Sequence, residues 1–254
     1  WPVASLGWVS SMVQEAEASQ KRINEFLKIE PEIKNSHAEP SDIDGSIEFR
    51  NVGYVYEDTN IEALKAVSFS IKKGETLAIL GKTGSGKSTI LSLISRLYDI
   101  SEGEILIDGK PISDINLFDL RSSIGIVPQD AFLFSDSIAN NIKFGKETAT
   151  DEEVREAAKK AVVHQNILQF HKEYETVLGE RGITISGGQK QRVSIARAII
   201  KDAPILLLDD CLSAVDTETE EAILNNLSTF CKDKTTIIVS HRVSSAKNAD
   251  KIII

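Results

Sequence analysis

The chain has 254 residues, of which 41% are hydrophobic and 26% charged, with 38 acidic residues against 29 basic ones. This apolar share can build a core, and the charge is too balanced for a disordered chain. The net charge of −9 argues against nucleic acid as a partner, because nucleic-acid binding usually needs a basic face. Cys211 and Cys231 make neither a disulfide framework nor a metal-binding spacing. A reduced compartment therefore fits best.

Both ends of the sequence have the character of cut ends. The chain begins at Trp1 rather than Met, and it ends inside the apolar run 252–254. No uninterrupted apolar window is long enough to predict a complete transmembrane helix, and the start lacks the features of a secretory signal. We therefore expect the chain to be a piece of a longer polypeptide.

Residues 1–30 are predicted to form an amphipathic helix, because apolar residues recur there at three- and four-residue spacing. A stripe of this kind is also typical of a helix that faces a core. Pro31, Pro40 and Gly45 punctuate the next stretch, which predicts a linker over residues 31–46. The predicted main domain covers residues 47–254. The stripe consists of Val9, Met12, Val13, Ala16, Ile23, Phe26 and Leu27.

From residue 47 the pattern changes to short strands. Residues 47–50 and 67–71 alternate between apolar and polar side chains. Residues 77–80, 205–208 and 237–239 are almost continuously apolar, which is typical of parallel strands covered on both faces. Helical stretches lie between them, one of them opened by a capping box of Thr150 and Glu153. The sequence therefore predicts an α/β fold.

The strongest motif lies between a predicted strand and a predicted helix at residues 89–98. Its glycines allow backbone N–H groups to surround phosphate oxygens, and the helix N-terminus adds partial positive charge. The lysine can reach the β- and γ-phosphates, and the last hydroxyl can ligate Mg²⁺. A plain glycine-rich turn is the alternative, but the flanking strand and helix favour a nucleotide site. The motif, G-x-x-x-x-G-K-[ST], consists of Gly81, Lys82, Thr83, Gly84, Ser85, Gly86, Lys87 and Ser88.

A second motif is the pair of aspartates after the apolar run 205–208. A buried strand that ends in a carboxylate delivers it to the carboxyl edge of the sheet, where open α/β folds bind ligands. Asp209 is predicted to hold Mg²⁺ as a Walker B aspartate, and Asp210 to point at the attacking water. Acidic residues at the end of a strand also often cap the following helix. The nearby phosphate loop is therefore the observation that favours a metal and water site over a cap.

A third motif opens a predicted helix. Its serine and glutamine form a capping box, and its two glycines leave the helix start without side chains, so that a phosphate can approach the N–H groups. Taken alone, this element is better explained as an ordinary capped helix. It consists of Ser186, Gly187, Gly188 and Gln189.

Taken together and in this order, the three motifs resemble the nucleotide-binding domain of an ATP-binding cassette (ABC) transporter. The resemblance covers residues 47–254, with the C-terminal end of the domain missing. It implies a P-loop NTPase core with a mostly parallel sheet, an antiparallel β subdomain and an α-helical signature subdomain. It also implies ATP and Mg²⁺ as cofactors.

The resemblance assigns roles to further residues. Tyr56 resembles the aromatic residue that stacks on adenine, and Thr89 extends the phosphate-binding loop. Residues 213–216 resemble the loop that crosses the dimer interface, with Asp216 at its end. Gln129 resembles the glutamine that links metal and water to the membrane partner, and His241 the switch histidine at the γ-phosphate.

The implied catalytic residues are Lys87, Gln129, Asp210 and His241. The implied metal ligands are Ser88, Gln129 and Asp209. The implied contacts to the ATP of a partner are Ser186, Gly187, Gly188 and Gln189.

Two segments resemble exporters in particular. Residues 176–182 resemble the element that contacts cytoplasmic coupling helices. Residues 1–30 resemble the end of the last transmembrane helix and the connector of a half-transporter with its membrane domain fused upstream. This implies ATP-driven export at the plasma or inner membrane, with the domain on the cytoplasmic face and a second nucleotide-binding domain as partner.

One position departs from the family pattern, which usually has glutamate where this chain has Asp210. The aspartate is one methylene shorter, so its carboxylate ends about 1 Å or more from where a glutamate would orient water, and such a misplacement can cost on the order of 10²-fold in rate. Resembling exporters with aspartate here are often the degenerate half of a heterodimer. The resemblance therefore favours a heterodimer over a homodimer. It also implies that this chain hydrolyses ATP with low intrinsic turnover.

Two other classes of protein remain open on the sequence. A soluble cassette ATPase of translation or chromosome handling would predict tandem cassettes, a basic arm or a long coiled-coil insertion, which this sequence lacks. A phosphoryl-transfer kinase could use the same phosphate loop, but it needs neither the Ser-Gly-Gly-Gln element nor a histidine after the last core strand.

Overall fold

The computed structural model describes residues 1–179 and 185–254. The chain forms two compact units, Trp1–Lys34 and Asn35–Ile254. The structural division thus falls within the linker expected at residues 31–46. The later part of that stretch is hydrogen-bonded inside the second unit, where the backbone N–H of Ser41 donates to Asp119 at 2.8 Å. The membrane-proximal role of residues 1–30 stays a prediction.

The first unit consists of one helix, α1 (Pro2–Leu27). Proline at the first helical position lacks only an N–H that would have no partner there. The apolar side chains of the predicted stripe are exposed, among them Met12 and Phe26. Within the described part of the chain, no helix combines the length and apolar character needed to span a membrane.

The second unit contains an antiparallel sheet of four strands. These are β1 (Ile47–Tyr56), β2 (Ile61–Ile71), β4 (Glu102–Ile107) and β5 (Lys110–Pro111), in the order β2-β1-β4-β5. The alternation in β1 buries Ile47 and Phe49 on one face, and the Phe49 ring stacks on Phe69 with a centroid distance of 4.4 Å.

A parallel sheet of five strands forms the centre of this unit. Its strands are β3 (Thr76–Leu80), β6 (Ile124–Val127), β7 (Ile205–Asp209), β8 (Thr235–Ser240) and β9 (Lys251–Ile253). The order is β6-β7-β8-β3-β9, and every neighbouring pair is parallel. The continuous apolar runs are buried as expected, apart from Leu80 and Ile238, which are half-buried. Because all five strands run the same way, their carboxyl ends share one edge.

Helices surround this sheet. Helix α2 (Lys87–Ile94) follows β3, α3 (Leu117–Ser122) precedes β6, and α8 (Thr217–Phe230) connects β7 to β8. Helix α2 begins earlier than the helix predicted at residues 89–98, because the left-handed backbone of Gly86 (φ 83°) lets it begin directly after that glycine. It is also shorter than predicted.

Within the described residues, four more helices form a helical region between β6 and β7. They are α4 (Ile138–Lys143), α5 (Asp151–Lys160), α6 (His164–Ile167) and α7 (Gly187–Ile200). Both predicted capping boxes are present, at α5 and at α7. The predicted α/β class is confirmed, with an antiparallel β part, a parallel core and a helical part.

Candidate nucleotide-binding site

Four loops leave the carboxyl edge of the parallel sheet side by side. They follow β3 at residue 81, β6 at residue 128, β7 at residue 210 and β8 at residue 241. The register aligns Leu80 with Ser240 and Asp209 with Val239. The next residues along the chain therefore emerge at similar levels. The topology brings the phosphate loop, the two aspartates, Gln129 and His241 to one edge.

The phosphate loop encloses its own lysine. Lys87 is only 7% exposed, and its Nζ donates hydrogen bonds to the carbonyl oxygens of Gly81 at 3.0 Å and Lys82 at 2.7 Å. A Cβ atom on Gly86 would lie 2.4 Å from the carbonyl oxygen of Ala63, so a side chain cannot be accommodated there without a shift. The loop thus holds an ammonium group beside the first N–H groups of α2, which suits an anion.

A hydrogen bond joins the phosphate loop to the aspartate pair. The hydroxyl of Ser88 donates to Oδ1 of Asp209 at 3.0 Å. Burial raises the pKa of the Asp209 carboxyl and the charge of Asp210 raises it further, whereas the Ser88 bond, Lys87 and His241 lower it. These influences identify Lys87, Asp210 and His241 as electrostatic neighbours of Asp209.

The donor set at Ser88 and Asp209 fits Mg²⁺, which is commonly held by one or two carboxylates together with substrate phosphates rather than by an all-protein cage. The described residues include no cluster of three or more His, Cys, Asp or Glu side chains suited to a metal. The hydroxyl and carboxylate can supply two oxygen ligands, and phosphate oxygens and water would complete the shell.

Asp210 has an unusual backbone. Its φ is 41°, in the left-handed region, which aspartate tolerates better than most residues. Its N–H donates to the carbonyl oxygen of Val239 at 2.8 Å, which ties the residue to β8. The next residue, Cys211, is buried, and burial raises the pKa of its thiol to about 12. Cys211 is therefore an unreactive core residue.

Tyr56 lies beside α2. Its hydroxyl shares a hydrogen bond of 3.0 Å with the hydroxyl of Thr89. Its ring meets those of Tyr54 and Tyr98 edge-on, at centroid distances of 4.9 Å and 5.7 Å. The half-buried ring is therefore held in place next to the phosphate loop.

The start of α7 forms its own hydrogen-bonded cap. Ser186 caps the helix, since its hydroxyl accepts from the N–H of Gln189 at 3.2 Å and its own N–H donates to Oε1 of Gln189 at 3.0 Å. Ser186 and Gly187 are exposed. Among the hydrogen bonds of the described residues, none joins residues 186–189 to the loop 81–88.

The loop 213–216 packs behind the start of α7. A Cβ atom on Gly188 would lie 2.8 Å from the carbonyl oxygen of Ala214, so this glycine allows a close approach. Asp216 caps α8 by accepting from the N–H of Thr219 at 2.9 Å, and this backbone bond is the main cause that lowers the pKa of Asp216.

Sequence reasoning missed a polar group behind these loops. Arg242 donates to the carbonyl oxygen of Ser213 at 3.1 Å and pairs with Glu220. Glu220 is 2% exposed. A signal existed in the sequence: Glu220 precedes Ile223 and Leu227 at helical spacing, so a charged residue occupies a core position of α8.

The exporter-like element at residues 176–182 lies partly outside the described residues, which end at residue 179 before resuming at 185. In its described part, the carbonyl oxygen of Thr176 accepts from the N–H of Ile138 at 3.1 Å. The N–H of Leu178 donates to the backbone carbonyl oxygen of Asp136 at 2.9 Å. This part therefore packs against the start of α4.

Comparison with known proteins agrees with this geometry. The sequence model of a family described as "ABC transporter" matches residues 64–213. The whole chain is 47% identical to "ATP-binding cassette sub-family B member 6" of Rattus norvegicus, over 30% of that protein. It is 45% identical to "Uncharacterized ABC transporter ATP-binding protein YknU" of Bacillus subtilis (strain 168), over 44% of that protein.

A solved structure, described as "Structure of a bacterial Atm1-family ABC exporter with ATP bound", is similar with a TM-score of 0.91 and 38% identity. The similarity covers 98% of this chain and 44% of the other. The fold and the phosphate loop define an ATP-binding domain. The chain belongs to the ABC transporter family, whose ATP-binding domains are ATPases coupled to transport. It spans less than half the length of these relatives.

Proposed function

We propose that this chain hydrolyses MgATP to drive export across a membrane, as the nucleotide-binding domain of an ABC half-transporter. The observation that carries the proposal is the hydrogen bond from Ser88 to Asp209, 3.0 Å long. It joins the end of the phosphate loop to the end of β7, where a nucleotide site needs a hydroxyl and a carboxylate together. The exporter described with ATP bound supports the same function.

Lys87 and the backbone of its loop bind the phosphates. The Lys87 ammonium already lies among the loop carbonyls, so little rearrangement is needed to present it to β- and γ-phosphate oxygens. Tyr56 stacks on the adenine ring, with its orientation held by Thr89.

Ser88, Asp209 and Gln129 would hold Mg²⁺. Once bound there, the ion would supply positive charge to offset the charge that develops on the transferred phosphoryl group. Asp209 must be ionised for this role, although its burial favours the protonated form. Gln129 emerges two residues after β6, at the same sheet edge.

Asp210 occupies the position of the catalytic glutamate, and His241 contacts the γ-phosphate. Asp210 accepts a hydrogen bond from the attacking water, and its short side chain orients this water less well than a glutamate would. Slow turnover at this chain's own site follows, and it favours a heterodimer in which the partner supplies a more active site.

A second nucleotide-binding domain completes each site. Residues 186–189 of one chain face the ATP held by the other, which is supported by the exposure of Ser186 and Gly187. Asp216 lies in the loop that crosses between the chains. A transmembrane domain fused upstream places this domain on the cytoplasmic face of a plasma or inner membrane.

Isothermal calorimetry with MgATP tests this proposal. Lys87→Ala removes the ammonium group from the loop and should weaken ATP binding at least about tenfold, the effect of losing one charge-assisted hydrogen bond. Lys146→Ala is the matched control, because Lys146 pairs with Glu153 on the surface and should leave the affinity unchanged. Equal affinity of wild type and Lys87→Ala would contradict the proposal.

A further inference from the structure

A single peptide group in the loop 213–216 is held from both sides. Its carbonyl oxygen, on Ser213, accepts from Nη2 of Arg242 at 3.1 Å. Its N–H, on Ala214, donates to Oε1 of Gln191 at 3.1 Å. Because a peptide group is planar, these two bonds together restrict its rotation about the chain axis.

The arginine side of this arrangement is anchored in the core. Arg242 pairs with the buried carboxylate of Glu220, whose Oε1 accepts from the hydroxyl of Ser244 at 2.8 Å. The N–H of Arg242 donates to the hydroxyl of Ser240 at 3.0 Å, at the end of β8. The residue next to His241 is thus fixed to both β8 and α8.

The glutamine side is anchored in α7. Gln191 is 6% exposed, and its Nε2 donates to the Ser213 hydroxyl at 3.3 Å. The Ala214 carbonyl, one peptide further on, lies against Gly188. Any rotation of the held peptide would therefore also disturb the packing at the start of α7.

We propose that Gln191, the peptide between Ser213 and Ala214, Arg242 and Glu220 form a peptide clamp that positions the start of α7 relative to His241. The inference rests on the proposed function, in which these two parts of one chain serve different ATP molecules. The clamp then joins the chain's own site to the site that it completes on its partner. Gln191 and Arg242 are positioning residues, because they act through the loop rather than on ATP.

The clamp should affect the association of two chains but not ATP binding by a separate chain, and both can be measured. ATP binding to a separate chain depends on the loop 81–88, which the clamp does not contact. Association of two chains in MgATP depends on the start of α7 and on the loop 213–216. Loss of the clamp should therefore weaken association and leave binding by separate chains unchanged.

The test combines calorimetry, at concentrations where the chains stay separate, with sedimentation of purified protein in saturating MgATP. Gln191→Met removes both glutamine bonds at similar volume. Arg242→Lys keeps the charge beside Glu220 but loses the planar fork that reaches two acceptors. Each variant should bind ATP as wild type does and should weaken association about tenfold, equivalent to about 1.4 kcal/mol.

The double variant decides whether the residues act together. If both hold one peptide, the second substitution should add little, so the double variant should associate about as weakly as the worse single variant. Losses that multiply to about a hundredfold would overturn the clamp. A parallel loss of ATP affinity in separate chains would overturn it as well.

A control variant distinguishes the clamp from general damage. Arg96→Lys makes the same change at a buried arginine that contacts Asp99 and the carbonyl of Ser113, and it should have no effect on association. A loss in Arg96→Lys as large as that in Arg242→Lys would contradict the clamp. Wild-type chains that bind ATP but never associate would overturn the clamp and leave the proposed ATP binding intact, whereas chains that bind no ATP would overturn the proposed function.

Discussion

Asp210 combines a short side chain with a left-handed backbone. The φ of 41° favours aspartate over glutamate, whereas the proposed activation of water would favour the longer side chain. These two demands oppose each other at one position. The strain costs about 1–2 kcal/mol for an ordinary residue, and the bond to Val239 helps to hold the conformation.

Replacement of this aspartate tests which demand prevails. Asp210→Glu restores the missing methylene and should raise the single-turnover rate of hydrolysis, since a well-placed general base contributes about 10²–10⁴-fold. The ATP affinity should stay nearly unchanged. Asp210→Asn, which keeps the size but removes the base, is the control and should slow hydrolysis. A wild-type rate equal to that of Asp210→Glu would mean that the site is not degenerate.

Asp209 illustrates the opposite conflict, between stability and function. Burial and the charge of Asp210 raise the pKa of this carboxyl above that of the unfolded chain. Between the two pKa values the folded state binds more protons than the unfolded state, so stability falls as the pH rises through that window. The ionised carboxylate therefore costs stability at neutral pH.

Asp209→Asn should accordingly raise the urea midpoint of the ligand-free protein at neutral pH, and the amide oxygen can still accept from Ser88. The gain should shrink at a pH below both pKa values, and Mg²⁺-dependent hydrolysis should be lost. Asp216→Asn is the control: its pKa is lowered by the bond from Thr219, so this substitution should give no gain. A lower midpoint for Asp209→Asn at pH 7 would contradict the electrostatic account.

At the scale of elements, the junction between the phosphate loop and α2 depends on one glycine. Gly84 and Gly86 both have positive φ, at 82° and 83°. Only Gly86 would place a Cβ against backbone, 2.4 Å from Ala63 on β2, whereas Gly84 faces open space. The contact with β2 therefore sets the position at which α2 begins.

The two alanine substitutions should differ for this reason. Gly84→Ala carries only the left-handed strain, about 1–2 kcal/mol, whereas Gly86→Ala should destabilise by more than about 2 kcal/mol and weaken ATP binding, because strand and helix must separate. Urea unfolding and calorimetry measure the two effects. Equal destabilisation by both substitutions would show that the contact with Ala63 does not constrain the loop.

Elements differ in how far the sequence could predict them. The three central strands of the parallel sheet, β7, β8 and β3, were predictable because their faces are largely buried, which leaves continuous apolar runs such as residues 205–208. The edge strands β6 and β9 were not, because exposed residues such as Ile126 and Ile252 interrupt their burial. The helix starts at α5 and α7 were predictable because capping is a local interaction. The contacts of Ser213 with Gln191 and Arg242 were not, because three segments distant in sequence must first be brought together.

Boundaries were also less predictable than elements. The prolines at residues 31–46 predict a linker, but the N–H groups of Asp44 and Ser46 donate to Asp108 at 2.8 Å and 2.7 Å. The glycine and proline pattern has no information on this pairing, because Asp108 belongs to a turn after β4. Much of the predicted linker is therefore part of the folded second unit.

At the scale of the whole molecule, the proposed function requires one chain to hold two incomplete halves of a site. The phosphate loop, Asp209 and His241 lie at the carboxyl edge of the parallel sheet, whereas the start of α7 belongs to the helical region, and among the described residues no hydrogen bond joins it to the phosphate loop. An ATP molecule that contacts both sets would need two chains in opposite orientations, which is the symmetric arrangement expected of a dimer.

The complementation of two defective chains tests this central claim most directly. The first chain carries Lys87→Ala. The second carries Ser186→Asp, which keeps a cap on α7, since aspartate caps as well as serine, but sets a negative charge against phosphate. In a mixed dimer, one composite site contains both defects and the other contains neither. We predict that each variant alone releases little phosphate from MgATP and that the mixture regains a clear fraction of the wild-type rate. A mixture no faster than the sum of the two separate variants would contradict the shared site.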